Sequence, residues 1–351
     1  MKKEDKKKIV IVGGGFAGSA VAKQLENHFS VELIDTKDYF EFTPGILRTL
    51  VEPEHAKKIQ IMYKDYLKNT RIIVDCVLNA NKRFVYTKSR KIAYDYLVVC
   101  SGSSYKAPIK EQDVVFATRA KNLVDIHKRL GKAKEIAIIG GGLVGVELAA
   151  EIACRYGDKK ITMVHSGDKL MDRNSKKSID YATKFLLRNG VKIIFEERVV
   201  GGEKKEIETD KGTKIKCDLV FSCTGIIPNS DFLKNSEDFA IFLDEKGFVN
   251  VNDYMQVNGF RNVFALGDIN ACMVEKTAQN AELQAEVAVE NIRALESGRK
   301  LKKYVEKKTP MVISLGKYDG IFDYMHFVFT GKVPAFLKWA VEKKEMWNLG
   351  S

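Results

Sequence analysis

An unbroken apolar run, Ile9 to Val12, has the length of a short strand buried on both faces of a parallel sheet; a strand with one wet face would alternate. A glycine-rich turn follows, then a helix over 19–28, then a second strand from Val31 to Ile34 that ends at Asp35. The same order returns further on: a strand over 135–139, another glycine turn, a helix through Arg155, and a strand from Ile161 to Val164 that ends at His165. Strand, turn, helix and strand in this order make the nucleotide-binding half of a doubly wound sheet, and the chain has two of them. Near the C-terminus, Met311 to Gly316 predicts one more strand, and the aromatic-rich stretch from His326 to Leu349 predicts a helix.

The two turns carry matching chemistry. Gly13, Gly15 and Gly18 make G-x-G-x-x-G around Phe16 and Ala17, and Gly140, Gly142 and Gly145 make it again around Leu143 and Val144. In such a turn the first glycine allows the tight bend, the second lets backbone approach a pyrophosphate, and the third lets the helix close on the strand. The helix then points its free N–H groups at the phosphates. Asp35, with Thr36 and Lys37 behind it, stands where an acid accepts hydrogen bonds from a ribose diol. His165 stands at the same place in the second unit, where it removes the repulsion of a 2′-phosphate, and Lys169 or Arg173 adds attraction. A surface histidine with no part in cofactor choice is the alternative. Two dinucleotide sites in one chain point to a held flavin, FAD, and an exchanging nicotinamide, NADH with NADPH tolerated, and hence to hydride transfer.

Composition narrows this picture. A chain of 351 residues with 45% apolar content is expected to form two domains and something smaller. Its 58 Lys and Arg against 46 Asp and Glu leave +12, a surface suited to anionic lipid, nucleic acid or phosphorylated cofactors. Much of the excess sits at Lys2, Lys3, Lys6, Lys7 and Lys8 and between Arg299 and Lys308, where a solvated run is the simpler account. No stretch approaches the roughly 18 apolar residues of a membrane span, and the lysine-rich start leads into a strand rather than a signal sequence, so a cytoplasmic protein is expected. Six cysteines without a CxxC pair are expected to be reduced and mostly buried.

Further segments carry a resemblance. YDYLVVCSGSS, with Ser101 and Gly102, and CDLVFSCTGIIPN, with Thr224 and Gly225, resemble the A-T-G segments of the two-dinucleotide-binding flavoprotein superfamily. NVFALGDIN, with Gly267 and Asp268, resembles its G-D segment, which implies that Asp268 binds the ribityl chain. YFEFTPGILRTLVEP, with Phe42, Thr43 and Pro44, is similar to the segment beside the flavin ring in type II NADH dehydrogenases. KTAQNAELQAEVAVENI is similar to their helix between flavin and quinone. The histidine-serine after the second nucleotide strand and SLGKYDG bring the chain close to the apoptosis-inducing-factor-like quinone reductases of the ferroptosis-suppressor type. Lys2 stands where a myristoylated glycine would, so membrane attachment is expected by another route.

The resemblance implies an NAD(P)H:quinone oxidoreductase. Glu147 would place the nicotinamide carboxamide, with Glu151 an ordinary solvated helix residue. Lys276, beside Thr277 and Ala278 at a helix N-terminus, would stabilise negative charge on the reduced ring. Quinone would be bordered by Phe42, Pro44, Gln279 and Gln284. The alanines at 278, 281, 285 and 288 suit close approach of either a planar ring or a neighbouring helix. No cysteine pair follows the first unit, and Cys272 has no evident second, which speaks against a disulfide or sulfide:quinone reductase. Reduction of ferredoxin or rubredoxin remains an alternative. So does a nucleic-acid-binding flavoprotein, although no nucleic-acid motif is present and no specific nucleic acid is expected.

The expected architecture is α/β: two Rossmann-like, doubly wound dinucleotide-binding domains, one inserted in the other, plus a small C-terminal α+β domain. The FAD domain spans 1–108 and 245–297, the NAD(P)H domain 109–244, and the C-terminal domain 298–351. No metal is expected. Phe327, Phe329, Phe336, Leu337, Trp339, Val341, Met346 and Trp347, mixed with Lys332, Lys338, Lys343 and Lys344, suit a helix on an anionic membrane surface, peripheral on its inner face. Packing on the protein's own domain, or in a homodimer, is the alternative.

Overall fold

The computed structural model describes residues 6–104, 116–203 and 205–350, with side chains at 116–122 and 203 left aside. Lys2, Lys3 and the domain limit expected near Pro108 lie outside the described residues. The first apolar run becomes the strand Lys8–Val12, at the centre of a five-stranded parallel sheet. Across that sheet the strands run Val263–Ala265, Tyr96–Val99, Lys8–Val12, Ser30–Asp35, Thr70–Val74. Its second member begins at Ser30 and its helix spans Phe16–Leu25, so the helix starts three residues before the expected position, directly after Gly15.

Between Val99 and Val263 the chain builds a second parallel sheet, in the order Val191–Ile194, Lys160–Val164, Glu135–Ile139, Leu219–Ser222. The helix Leu143–Arg155 follows its central strand. A two-residue antiparallel pairing, Ser103–Ser104 with Ile227–Pro228, ties the outgoing chain to the returning one. The C-terminal part is an antiparallel sheet of Met311–Ser314, Gly320–Tyr324 and Phe327–Thr330, followed by the helix Lys332–Gly350. The expected helix from His326 is therefore corrected: Phe327 and Phe329 belong to an edge strand, where β-favouring aromatics outweigh helical spacing.

The cores cross the sequence-level units. Buried residues around the second sheet, such as Ile138, Val146 and Phe221, are continuous with Leu47 and Leu50 from the first unit and with Ile313 and Ile321 from the C-terminal sheet. The helix Ala278–Glu296 packs on Phe16–Leu25, and Ala281, Ala285 and Ala288 share a core with Ala17, Val21 and Ala22. Close helix packing thus accounts for most of the alanine stripe.

A buried ion pair joins three segments. The Arg48 guanidinium donates to the Glu151 carboxylate (2.7 Å), the Ser314 hydroxyl (3.3 Å) and the Gly316 carbonyl (3.0 Å). Glu151, expected to be solvated, is 5% exposed, because this partner reaches it from 103 positions away. Replacing Arg48 with Met leaves that carboxylate buried and unpaired and is expected to cost about 3–5 kcal/mol. Lys317→Ala, which removes the more exposed pair with Glu52, should cost no more than about 1 kcal/mol. Urea titration of both variants measures the difference; equal losses would contradict the assignment.

Candidate functional site

The two fingerprints fold into the same geometry. Gly13 (φ +97°) and Gly140 (φ +108°) lie in the left-handed region, and a Cβ on either would fall 2.3 and 2.4 Å from the carbonyl oxygens of Cys100 and Cys223. A Cβ on Gly18 would sit 1.9 Å from the Gly13 oxygen, and one on Gly145 2.0 Å from the Gly140 oxygen. Gly15 and Gly142, by contrast, have nothing within 4 Å of that position. Each precedes the first residue of a helix as an N-cap without a side-chain hydrogen bond, so the first-turn N–H groups have no side-chain cap. That is a cradle for a diphosphate, twice over.

The residues ending the second strand of each unit also correspond. One Asp35 oxygen accepts from the Gly14 N–H (2.6 Å), the Tyr63 hydroxyl (2.8 Å) and the Lys37 ammonium (3.1 Å). The other accepts from the Lys37 backbone N–H (3.1 Å). Burial raises the Asp35 pKa, but the Lys37 charge and the Gly14 and Tyr63 hydrogen bonds outweigh it and hold the carboxyl below its ordinary value. Burial and the Asp35 charge push the Tyr63 phenol well up. In the second unit His165 Nδ1 accepts from the Gly141 N–H (3.2 Å), the bond that Asp35 makes with Gly14. Accepting this bond uses the lone pair on Nδ1. Lys169 and Arg173 stand nearby in sequence and are exposed.

A cleft of about 720 Å3 runs from the first fingerprint to the second nucleotide helix, within the roughly 300–1,000 Å3 range of ligand and cofactor sites. Its wall brings together Gly13, Gly15, Phe16, Ala17, Asp35, Thr36, Lys37, Phe42, Thr43, Pro44, Ser101 and Gly102. Gly267, Asp268, Lys276, Thr277, Ala278 and Gln279 continue it, and Leu143, Val144 and Glu147 close it from the other unit. Gly18 packs beneath it. Gly140, Gly142, Gly145, His165, Thr224 and Gly225 stay outside this wall and gather at the carboxyl end of the second sheet, where Gly140 meets Cys223 and Thr224. Asp268 accepts a hydrogen bond from the Ser103 hydroxyl.

Several side chains differ from expectation. Lys276 lines the cleft, yet its ammonium already donates to the Asn270 carbonyl (2.7 Å) and side-chain oxygen (3.1 Å) and to the Cys272 carbonyl (3.0 Å). An ammonium has three protons, so its reach into the cleft is by charge rather than by a further hydrogen bond. Burial lowers its pKa from the ordinary lysine value. Gln284 is not a border of the cleft: it is 1% exposed, and its side-chain oxygen takes the Gly267 N–H and the Asn270 amide, each at 2.7 Å. Glu147 accepts from the Ser314 N–H (2.8 Å) and the Lys338 ammonium (3.2 Å), so the C-terminal segment holds it at the cleft wall.

Cys272 is half-buried, lies outside that wall and has its thiol pKa pushed up by burial. Among the described residues all six cysteines are free and no cluster suited to a metal occurs. Cys154 is exposed, unlike the mostly buried set expected.

Two groups in the cleft had no sequence signal. Glu282 and Glu345 face each other across it from different helices. A smaller adjoining chamber is ringed by Arg48, Glu147, Glu151, Lys338, His55 and Glu342, with His55 Nε2 and a Glu342 oxygen 3.2 Å apart. Their partners come from distant segments, which no local pattern announces.

Known proteins share this arrangement. Ferroptosis suppressor protein 1 of Xenopus laevis is 34% identical over 91% of this chain and 88% of its own length. Apoptosis-inducing factor homolog B of Dictyostelium discoideum is 33% identical over 90% and 89%. Among solved structures, NDH2 from Plasmodium falciparum in complex with NADH has a TM-score of 0.82 at 15% identity, covering 98% of this chain and 96% of that one. The sulfide:quinone oxidoreductase of Aquifex aeolicus has 0.81 at 19%, covering 98% and 91%. Both share the fold. The family model for pyridine nucleotide-disulphide oxidoreductases matches residues 7–289, and with two matching glycine turns, each ahead of a nucleotide helix, the chain belongs to that family in its two-dinucleotide-domain flavoprotein form.

Proposed function

We propose that this protein is an FAD-dependent NAD(P)H:quinone oxidoreductase. The observation that carries this is the single cleft walled by the first fingerprint at one end and by Leu143, Val144 and Glu147 of the second nucleotide helix at the other. The open space at Gly15 fits a diphosphate, the extended cleft fits the rest of FAD, and Asp35 and Asp268 are the acceptors along it. FAD supplies the capacity to take a hydride and to release electrons to an acceptor. The chain's own work is to orient both partners and set the field. Gly142 and the first turn behind it hold the NAD(P)H diphosphate, and Glu147, fixed by Ser314 and Lys338, positions the nicotinamide end. His165 lacks the repulsion that an acid gives a 2′-phosphate, which supports use of NADPH beside NADH. The half-buried charge of Lys276 and the N-terminus of Ala278–Glu296 favour a negative ring beside them. Relatives named for ferroptosis suppression and neighbours named for NADH and quinone support the reading. The two cysteines of the cleft wall, Cys76 and Cys100, form no disulfide, and burial pushes the Cys100 thiol up, which supports an acceptor other than a disulfide or sulfide. The domain limits 1–108 with 245–297, 109–244 and 298–351 belong to the same proposal.

The acceptor would come from a membrane surface on the cytoplasmic side. Among the described residues no helix is long and apolar enough to cross a membrane. However, Phe327, Phe329, Phe336, Trp339 and Trp347 are 50–71% exposed, beside exposed Lys332, Lys343 and Lys344. Aromatics at the acyl boundary with ammonium groups at phosphates fit an anionic bilayer, and the net +12 favours the same partner.

Two experiments test these statements. Gly15→Leu should yield protein without bound FAD, whereas Gly142→Leu should keep FAD but lose its bleaching by NADH; loss of FAD in both variants would contradict the division of labour. Cosedimentation with vesicles of phosphatidylcholine and phosphatidylglycerol should fall about tenfold or more in Phe336→Ser/Trp339→Ser/Trp347→Ser. No vesicle binding by the wild type, with a dimer that the triple variant dissolves, would instead assign this face to a second copy.

A further inference from the structure

Reducing a quinone with NAD(P)H has a fixed proton balance. The quinone takes up two electrons and two protons; the hydride brings both electrons and one of the protons, so one proton per turnover must come from elsewhere. Within the cleft, the helix Ala278–Glu296 presents Glu282 one turn beyond Gln279, and the C-terminal helix presents Glu345 opposite it, one turn beyond Val341. The two carboxyl groups line the same cleft from different helices, near enough for the Glu345 charge to act on Glu282, and both are half-buried. Two carboxylates at such range repel unless a proton sits between them.

We propose that Glu282 and Glu345 hold one proton between them and donate it to the acceptor oxygen as the electrons arrive. The inference rests on the quinone-reductase reading. The carboxyl O–H bond breaks, its electron pair stays on the carboxylate, and an O–H bond forms on the quinol; the electron pair and the other hydrogen come from NAD(P)H. The two carboxylates left behind repel each other, which drives recapture of a proton from water at the open edge of the cleft. Burial, then the facing Glu345, then Glu286 one turn along the same helix push the Glu282 carboxyl up to about 8. The pair therefore carries its proton at neutral pH, and the proton belongs to the pair rather than to one oxygen. Lys338, the cation on the facing helix, is engaged by Glu147 and the Val312 carbonyl.

Infrared titration of the resting FAD-loaded protein reads this proton without turnover. The wild type should show a protonated-carboxyl C=O band that disappears around pH 8. The band should be missing in Glu282→Gln and should titrate lower in Glu345→Gln, where the like charge is gone. In stopped-flow, quinone-dependent reoxidation by the wild type should fall by about tenfold per pH unit above that midpoint. In Glu282→Gln it should be about 100-fold slower at pH 7 and flat with pH, while NADH bleaching stays within about twofold, and Glu282→Asp should restore the pH limb. A wild type without the band, or a Glu282→Gln protein that keeps the wild-type limb, overturns the proposal. A wild type that bleaches with NADH but is not reoxidised by quinone overturns the functional reading and the donor role together, while the band still reports the pair itself.

Discussion

The constraint on which this structure depends is the missing Cβ at Gly18 and Gly145. Their Cα atoms approach the carbonyl oxygens of Gly13 and Gly140 so closely that a methyl would lie about 2 Å away. Each contact fixes a helix against its strand, with open space beside Gly15 or Gly142 at the helix start. Everything at the cleft is placed relative to these two bends. The carboxylate of Asp35 and the imidazole of His165 reach back to the N–H groups of Gly14 and Gly141 in their own loops and brace them.

A second layer of constraint is electrostatic. Arg48 with Glu151, Lys338 with Glu147, and His55 with Glu342 surround one small chamber behind the cleft, and each pair joins segments far apart in sequence. Buried ion pairs such as the first two add little net stability, because desolvation consumes most of the attraction, but removing one partner is expensive. They therefore act as register pins: the first unit, the second nucleotide helix and the C-terminal sheet keep one arrangement, and the cleft between them keeps its shape.

The parts legible in the sequence were those set by local backbone physics. A run such as Ile9–Val12 followed by Gly13, Gly15 and Gly18 has few other ways to fold, so the sheets, the helix starts and the cradles could be placed, with end errors of a few residues. Side-chain partnership was not legible. Nothing local to Glu151 announces Arg48, nothing around Gln284 announces its bond to Gly267, and the spacing of Phe327 and Phe329 does not reveal that they lie on a strand. The Glu282–Glu345 pair is the clearest case, since it exists only after the C-terminal helix folds back over the cleft. The resemblance to type II NADH dehydrogenases located the segments of the cleft, yet it overstated the freedom of Lys276, whose protons are committed to the 270–272 loop.

The central claim is that electrons enter at the second cradle and leave to a quinone from the shared cleft. Sequential anaerobic mixing tests it most directly: purified FAD-loaded protein with NADH, or in a second run NADPH, followed by a short-chain quinone, with flavin absorbance as the readout. Fast bleaching by the nicotinamide and equally prompt recovery on adding quinone are the predicted results. Bleaching that quinone leaves unreversed would contradict the account.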